Sequence, residues 1–167
     1  SPTITAKMVV ISTSGVVSDD KTNKIESLYN GLPIRGGERV AVRIKGNSNI
    51  NKGLQFDTPD TYLYVSKISN VIRDGQKEIF VLHLVSREAI TNEVTHVNRK
   101  FEAYSLIDDH VKNILKNDLK VKTVRYAGNI DRPSNKYGFL GNLKTPFQIL
   151  VWLASKATPQ SQSSGGF

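Results

Sequence analysis

The residues best able to do chemistry are three histidines, His83, His96 and His110, and one short run, Asp108-Asp109-His110. A metal centre needs several His, Cys, Asp or Glu donors at short, recognisable spacings. His96 and His110 have no second His or Cys at such a spacing. Cysteine is absent, which removes disulfides and thiolate ligands and leaves the compartment open. His83 sits in the middle of an apolar run, where a hydrogen-bonded core or interface imidazole is the expected role. Asp108-Asp109-His110 falls in the first turn of an expected helix. Neighbours along a helix point in different directions, so these side chains do not converge, and Asp108 has a capping role of its own. The chain carries no Gly-x-Ser-x-Gly, phosphate loop or dinucleotide fingerprint. No catalytic residue, metal ligand or cofactor is therefore expected, and an enzyme, a hydrolase for instance, is the weakest of three readings.

Binding chemistry is better represented. The formal charge is +8, from 23 Lys and Arg against 15 Asp and Glu, which suits an acidic partner. The basic residues are scattered, and densest at 35–45 and 112–125. Tyr62 and Tyr64 alternate along one expected strand and could stack bases, with Lys67 or Arg73 nearby. They could equally pack against a covering helix or a neighbouring subunit. The single Arg35-Gly36-Gly37 reads as a turn entering a strand rather than an RNA-binding repeat. No apolar run approaches a membrane span, and the first residues show no signal-peptide pattern, so no membrane partner is expected.

These residues are positioned by a hairpin at the centre of the sequence. Residues 62–72 are rich in Tyr, Val and Ile; residues 73–76 (RDGQ) supply a turn; residues 78–85 return as EIFVLHLV. Asp-Gly between two β-favouring runs is a strong hairpin signal, because both residues tolerate positive φ. The returning arm is apolar on both faces: Phe80, Leu82 and Leu84 on one, Ile79, Val81, His83 and Val85 on the other. A strand with one wet face alternates apolar with polar residues, and this one does not. Both faces are therefore expected to be covered. Tyr62, Tyr64, Ile79, Val81 and His83 become the candidate subunit interface.

The rest of the chain supplies companions. Residues 3–13 read as a β-branched strand, and residues 24–30 fit one helical turn or a strand start equally well. Residues 38–45 alternate strictly, with Val40, Val42 and Ile44 on one face. Residues 46–60 form a long polar connection, either coil or an extended hairpin arm. A short helix is expected over 87–93, a strand over 94–101, and a helix from a Ser105–Asp108 capping box to about Leu119. Another strand is expected over 120–127, then a loop over 128–143. Thr145-Pro-Phe-Gln148 opens the last helix with a capping box and Pro at its first position. That helix is apolar nearly all round, which predicts burial on several sides.

The fold class expected is α+β: an antiparallel β-barrel or sandwich over residues 1–93, then a helix-bearing α+β region packed on it over 94–157. Residues 158–167 (TPQSQSSGGF) read as a flexible tail or linker, and a linker there leads one to expect a longer parent chain.

Four stretches, in order and spacing, carry a family likeness: LPIRGGERVAVRIKG (32–46), YLYVSKISNVIRDGQKEIFVLHLVSREAITNE (62–93), SLIDDHVKNIL (105–115) and KTPFQILVWLASKA (144–157). Through them the chain resembles the N-terminal part of the baseplate hub protein of T4-like contractile-tailed bacteriophages. The resemblance implies a tail-tube-like β-barrel with a helix-bearing region beside it. It implies a structural virion protein in the phage tail baseplate, assembled in the host cytoplasm. Its partners would be itself, as a homotrimer, together with the tail tube and the central spike, with genomic DNA only as passing cargo. It transfers no catalytic residue. The competing reading is a basic β-domain that binds single-stranded nucleic acid.

Overall fold

The computed structural model describes residues 3–13, 17–18, 25–26, 28–32, 34–47, 50–51, 53–74, 77–121 and 132–160. The protein is α+β, and its antiparallel sheet is curled into a half-barrel. The chain divides into two compact units, Thr3–Arg87 and Glu88–Phe167.

In the first unit, the alternation of TAKMVVIS becomes β1 (Thr5–Ser12), whose residues alternate strictly between exposed and half-buried. A small pair follows, β2 (Val17–Ser18) with β3 (Ile25–Glu26), then the single turn α1 (Leu28–Gly31). The ambiguous 24–30 stretch thus holds both a strand and a helical turn. The alternating stretch at 38–45 breaks at Ala41 into β4 (Arg39–Val40) and β5 (Val42–Ile44). β5 pairs with β6 (Leu54–Phe56), so the polar connection is a hairpin arm. Gly53 is required there: its φ is +70°, and a Cβ would overlap the Ile44 carbonyl.

The central hairpin forms as β7 (Leu63–Asp74) and β8 (Lys77–Ser86); the tip residues Gly75 and Gln76 lie outside the described residues. The sheet order is β1-β8-β7-β4, antiparallel throughout. Its inner face buries Leu63, Val65, Phe80, Leu82 and Leu84, with Met8, Val10, Tyr29, Val40 and Phe56 packed against them. Glu78 is the charged exception on that face. Its carboxylate accepts Arg73 Nε–H at 3.0 Å and the Tyr29 N–H at 2.9 Å, as a buried charge requires.

β7 holds two irregularities. One extra residue separates Val65 from Lys67, and another lies between Ser69 and Ile72, where Asn70 takes φ 54°. Each single-residue bulge reverses which residues face inward. The first turns Ile68 in and Lys67 out; the second turns Ile72 out and brings Arg73 in to Glu78.

At the entry to β4, Gly36 and Gly37 adopt φ 115° and 88°. Glu38 closes this turn by accepting the Arg35 N–H at 2.7 Å and the Gly36 N–H at 2.9 Å. These bonds, that from Arg35 foremost, hold its carboxyl below the usual glutamate value. A depressed value means the turn is held at pH above the ordinary glutamate range and released as pH falls through the lowered one. A side-chain carboxyl NMR titration is expected to place the Glu38 midpoint below the ordinary glutamate value; a midpoint at or above it would show the turn open in solution.

In the second unit the elements are α2 (Arg87–Val94), β9 (Lys100–Phe101), α3 (Ile107–Asn117), β10 (Phe139–Leu140) and α4 (Pro146–Ala154). β9 pairs antiparallel with β10, and the core is Val97, Phe101, Ile107, Ile114, Ile149 and Leu153. Phe101 and Phe139 stack at 4.3 Å, with His110 edge-on to both. The strand expected over 120–127 lies almost wholly outside the described residues.

Two expectations need correcting. The Ser105–Asp108 capping box does not form: α3 starts at Ile107, with Leu106 as N-cap and no side-chain cap bond. Leu106 bridges Lys136, and the Ser105 carbonyl accepts the Tyr137 N–H, so this backbone is held in strand pairing. Asp108 instead meets Lys112 Nζ at 2.8 Å, one helical turn on. Nor is α4 buried on several sides. Pro146, Ile149 and Leu153 are buried, whereas Val151 is 63% exposed.

The second capping box does form. Gln148 Oε1 accepts the Thr145 N–H at 3.1 Å, with Pro146 next to the cap. Thr145→Ala is expected to cost about 1 kcal/mol in urea denaturation. No measurable change would mean that this cap contributes nothing.

Candidate assembly face

The bulges and the register together define the outer face of the sheet in the first unit. Four cross-strand rows run over it. Ile11, Ile79 and Ile72 form the first; Val9, Val81 and Ser69 the second; Lys7, His83 and Lys67 the third; Thr5, Val85, Tyr64 and Arg39 the fourth. Half of the face is aliphatic and half carries cations.

Within the first unit, the described residues leave the aliphatic half largely open. Ile11 is 61% exposed, Val9 60% and Ile72 56%, while Ile79 and Val81 between them are half-buried. Contiguous apolar surface of this kind marks an interaction site more often than chance. β1 is also an edge strand: among the described residues it pairs only with β8. Eight residues of unpaired edge, with Lys7 as their single charge, form a template for further pairing.

The cationic half is ordered around His83. Its Nε2 lies 2.8 Å from Ser69 Oγ, and its backbone carbonyl accepts Ser66 Oγ–H at 3.0 Å. Lys7 and Lys67 flank the imidazole on the two neighbouring strands, both exposed. Among the described residues, no Asp or Glu occupies any of the four rows. At the hairpin end Asp74 stands opposite Lys77 across the strands.

Tyr64, Ile79, Val81 and His83 therefore share one face. Tyr62 precedes β7; its N–H donates to the Thr58 carbonyl, and the ladder does not place it in any row. Arg73 points the other way, to Glu78, so it is not available beside Tyr64. Sequence reasoning missed Val9, Ile11, Ile72, Lys7 and Arg39. The first two were legible in the alternation of β1, and Ile72 in that of β7, because the two bulges cancel and leave it on the side of Tyr64.

The remaining chemistry-capable residues do not assemble. His110 is buried, and its Nε2 donates to the Tyr137 carbonyl at 2.7 Å, since a carbonyl can only accept. Asp109 is exposed, and Asp108 is occupied by Lys112. Among the described residues, no cluster of His, Cys, Asp and Glu could hold a metal ion, and no helix is long and apolar enough to cross a membrane.

Comparison with protein-family models, curated proteins and solved structures finds no match for this chain.

Proposed function

We propose that this protein is a structural ring subunit of a contractile phage tail, at the baseplate hub or a tail-tube-like ring that links the tube to the central spike. Its oligomer in this reading is a homotrimer, its neighbours are tube and spike, and its place is the virion. The observation that carries the reading is the largely open aliphatic half of the outer sheet face, continuous with the free edge of β1. A subunit finished by its neighbours leaves such a surface on the isolated chain. The resemblance supplies which assembly; the surface supplies the need for one. DNA passes through the ring without being held.

Single-stranded nucleic-acid binding has weaker support. Stacking platforms interleave several aromatic rings with cations. The rows of this face contain one aromatic residue, Tyr64, and their aliphatic half offers nothing to a phosphate backbone.

Light scattering of the purified chain at tens of micromolar tests the proposal. A trimer is expected. A monomer at every concentration would overturn it.

A further inference from the structure

The face has an excess of cations and a shortage of covering groups, so its occupant must bring aliphatic side chains and a carboxylate together. Helix α2 presents that combination outward. In α2, Ile90 is 39% exposed and Val94 75%, one helical turn apart, and Glu93 between them is exposed. The opposite side of α2 is committed: Asn92 is buried and its Oδ1 accepts the Phe147 N–H at 2.8 Å. Among the described residues, the Glu93 carboxylate meets the Asn92 amide, at 3.4 Å, and no cation.

From this complementarity we infer that α2 of one copy docks on the outer sheet face of the next, building a head-to-tail ring contact. The inference rests on the ring-subunit reading and names its interface. Spacing supports it. Residues four apart on a helix rise about 6 Å. Successive same-face residues of a strand are about 6.8 Å apart. A helix lying along the strands therefore sets Ile90 and Val94 on adjacent rows, the isoleucine row and the valine row. Glu93 then lies between these two rows, where the long side chains of the third-row lysines can extend back to it. A lysine stands on each side of His83 in that third row, so the carboxylate meets Lys7 or Lys67 whichever way the helix is rolled. The contact is heterologous, because α2 and the sheet face are different surfaces, and a heterologous contact closes into a ring when its rotation allows.

A reciprocal charge swap tests it, read by sedimentation equilibrium of the full chain. Lys7→Glu with Lys67→Glu, and separately Glu93→Lys, are each expected to weaken self-association by about tenfold or more. One chain carrying all three changes is expected to recover most of the loss, since each interface then pairs the charges in reverse. All three positions are exposed, so circular dichroism and melting should match the parent. Swapped chains that assemble like the parent, or a combined chain no better than its components, would overturn the α2 contact and leave the ring reading standing. A parent chain that stays monomeric, or that instead binds an oligo(dT) probe through these lysines, would overturn both.

Discussion

On the proposed ring reading, Val81→Asp is expected to leave the chain folded and to abolish its self-association. Val81 lies at the centre of the outer face, between Val9 and Ser69, and its side chain does not enter the core of Leu63, Val65, Phe80, Leu82 and Leu84. In the isolated chain the new carboxylate stays at the surface beside the lysine row, and the expected cost is about 1 kcal/mol of strand propensity. In the assembly it is pressed between aliphatic side chains without a partner. An unpaired charge buried in this way costs several kcal/mol, so association falls by about a thousandfold or more. Light scattering reads the loss of the oligomer, and far-UV circular dichroism with a thermal melt reads the retained fold. The isosteric Val81→Thr keeps the shape and is expected to weaken assembly only in part. An oligomer unaffected by Val81→Asp would show that the subunits meet elsewhere.

The architecture was legible where its cause is local. The Asp-Gly sequence signal and the two β-branched runs specify the β7–β8 hairpin without reference to anything distant. The Thr145–Gln148 cap was legible for the same reason. What was not legible depends on partners far along the chain. Lys67, Ile68 and Ser69 face the way they do because of the bulge at Ser66, and the second bulge at Asn70 restores the original phase, with Ile72 outward and Arg73 at the buried Glu78. Alternation counted from Tyr64 predicts the opposite side for Ile68. The Ser105 cap failed on similar grounds: the local signal is sound, but pairing with residues 136–137 holds that backbone in another conformation. The break at Ala41 likewise follows from β4 pairing with β7 while β5 pairs with β6. Ile79, Val81 and His83 share a face because β8 is regular, Tyr64 joins them from β7 ahead of its first bulge, and Tyr62 lies one residue before β7 begins.

Arg99→Ala is expected to be among the most damaging single truncations in the second unit. Asp118 caps the C-terminal end of α3, where the helix dipole disfavours a negative charge, and its side chain is only 9% exposed. Arg99 compensates on both counts. Its two terminal nitrogens donate to the two Asp118 oxygens at 2.7 and 2.6 Å, and one of them also reaches Asn113 Oδ1 at 2.7 Å. The guanidinium lies 4.8 Å over the Phe101 ring, which ties the pair to the aromatic core. Asp118 in turn raises the already high guanidinium value, so the cation persists throughout the accessible pH range. Truncating Arg99 leaves a nearly buried carboxylate without a partner. Removing one member of a buried pair costs about 3–5 kcal/mol; because Arg99 is 37% exposed and water can enter, about 3 kcal/mol is expected. That is a large share of the whole stability of a domain this size. Arg99→Lys recovers only part, since a single ammonium cannot serve both oxygens. Adding Asp118→Asn to Arg99→Ala removes the orphaned charge and is expected to restore more than half of the loss. Urea denaturation of the parent, Arg99→Ala, Asp118→Asn and the double variant closes a double-mutant cycle. A cost below about 1 kcal/mol for Arg99→Ala would mean that Asp118 is hydrated in solution and that the pair behaves as an ordinary surface bridge.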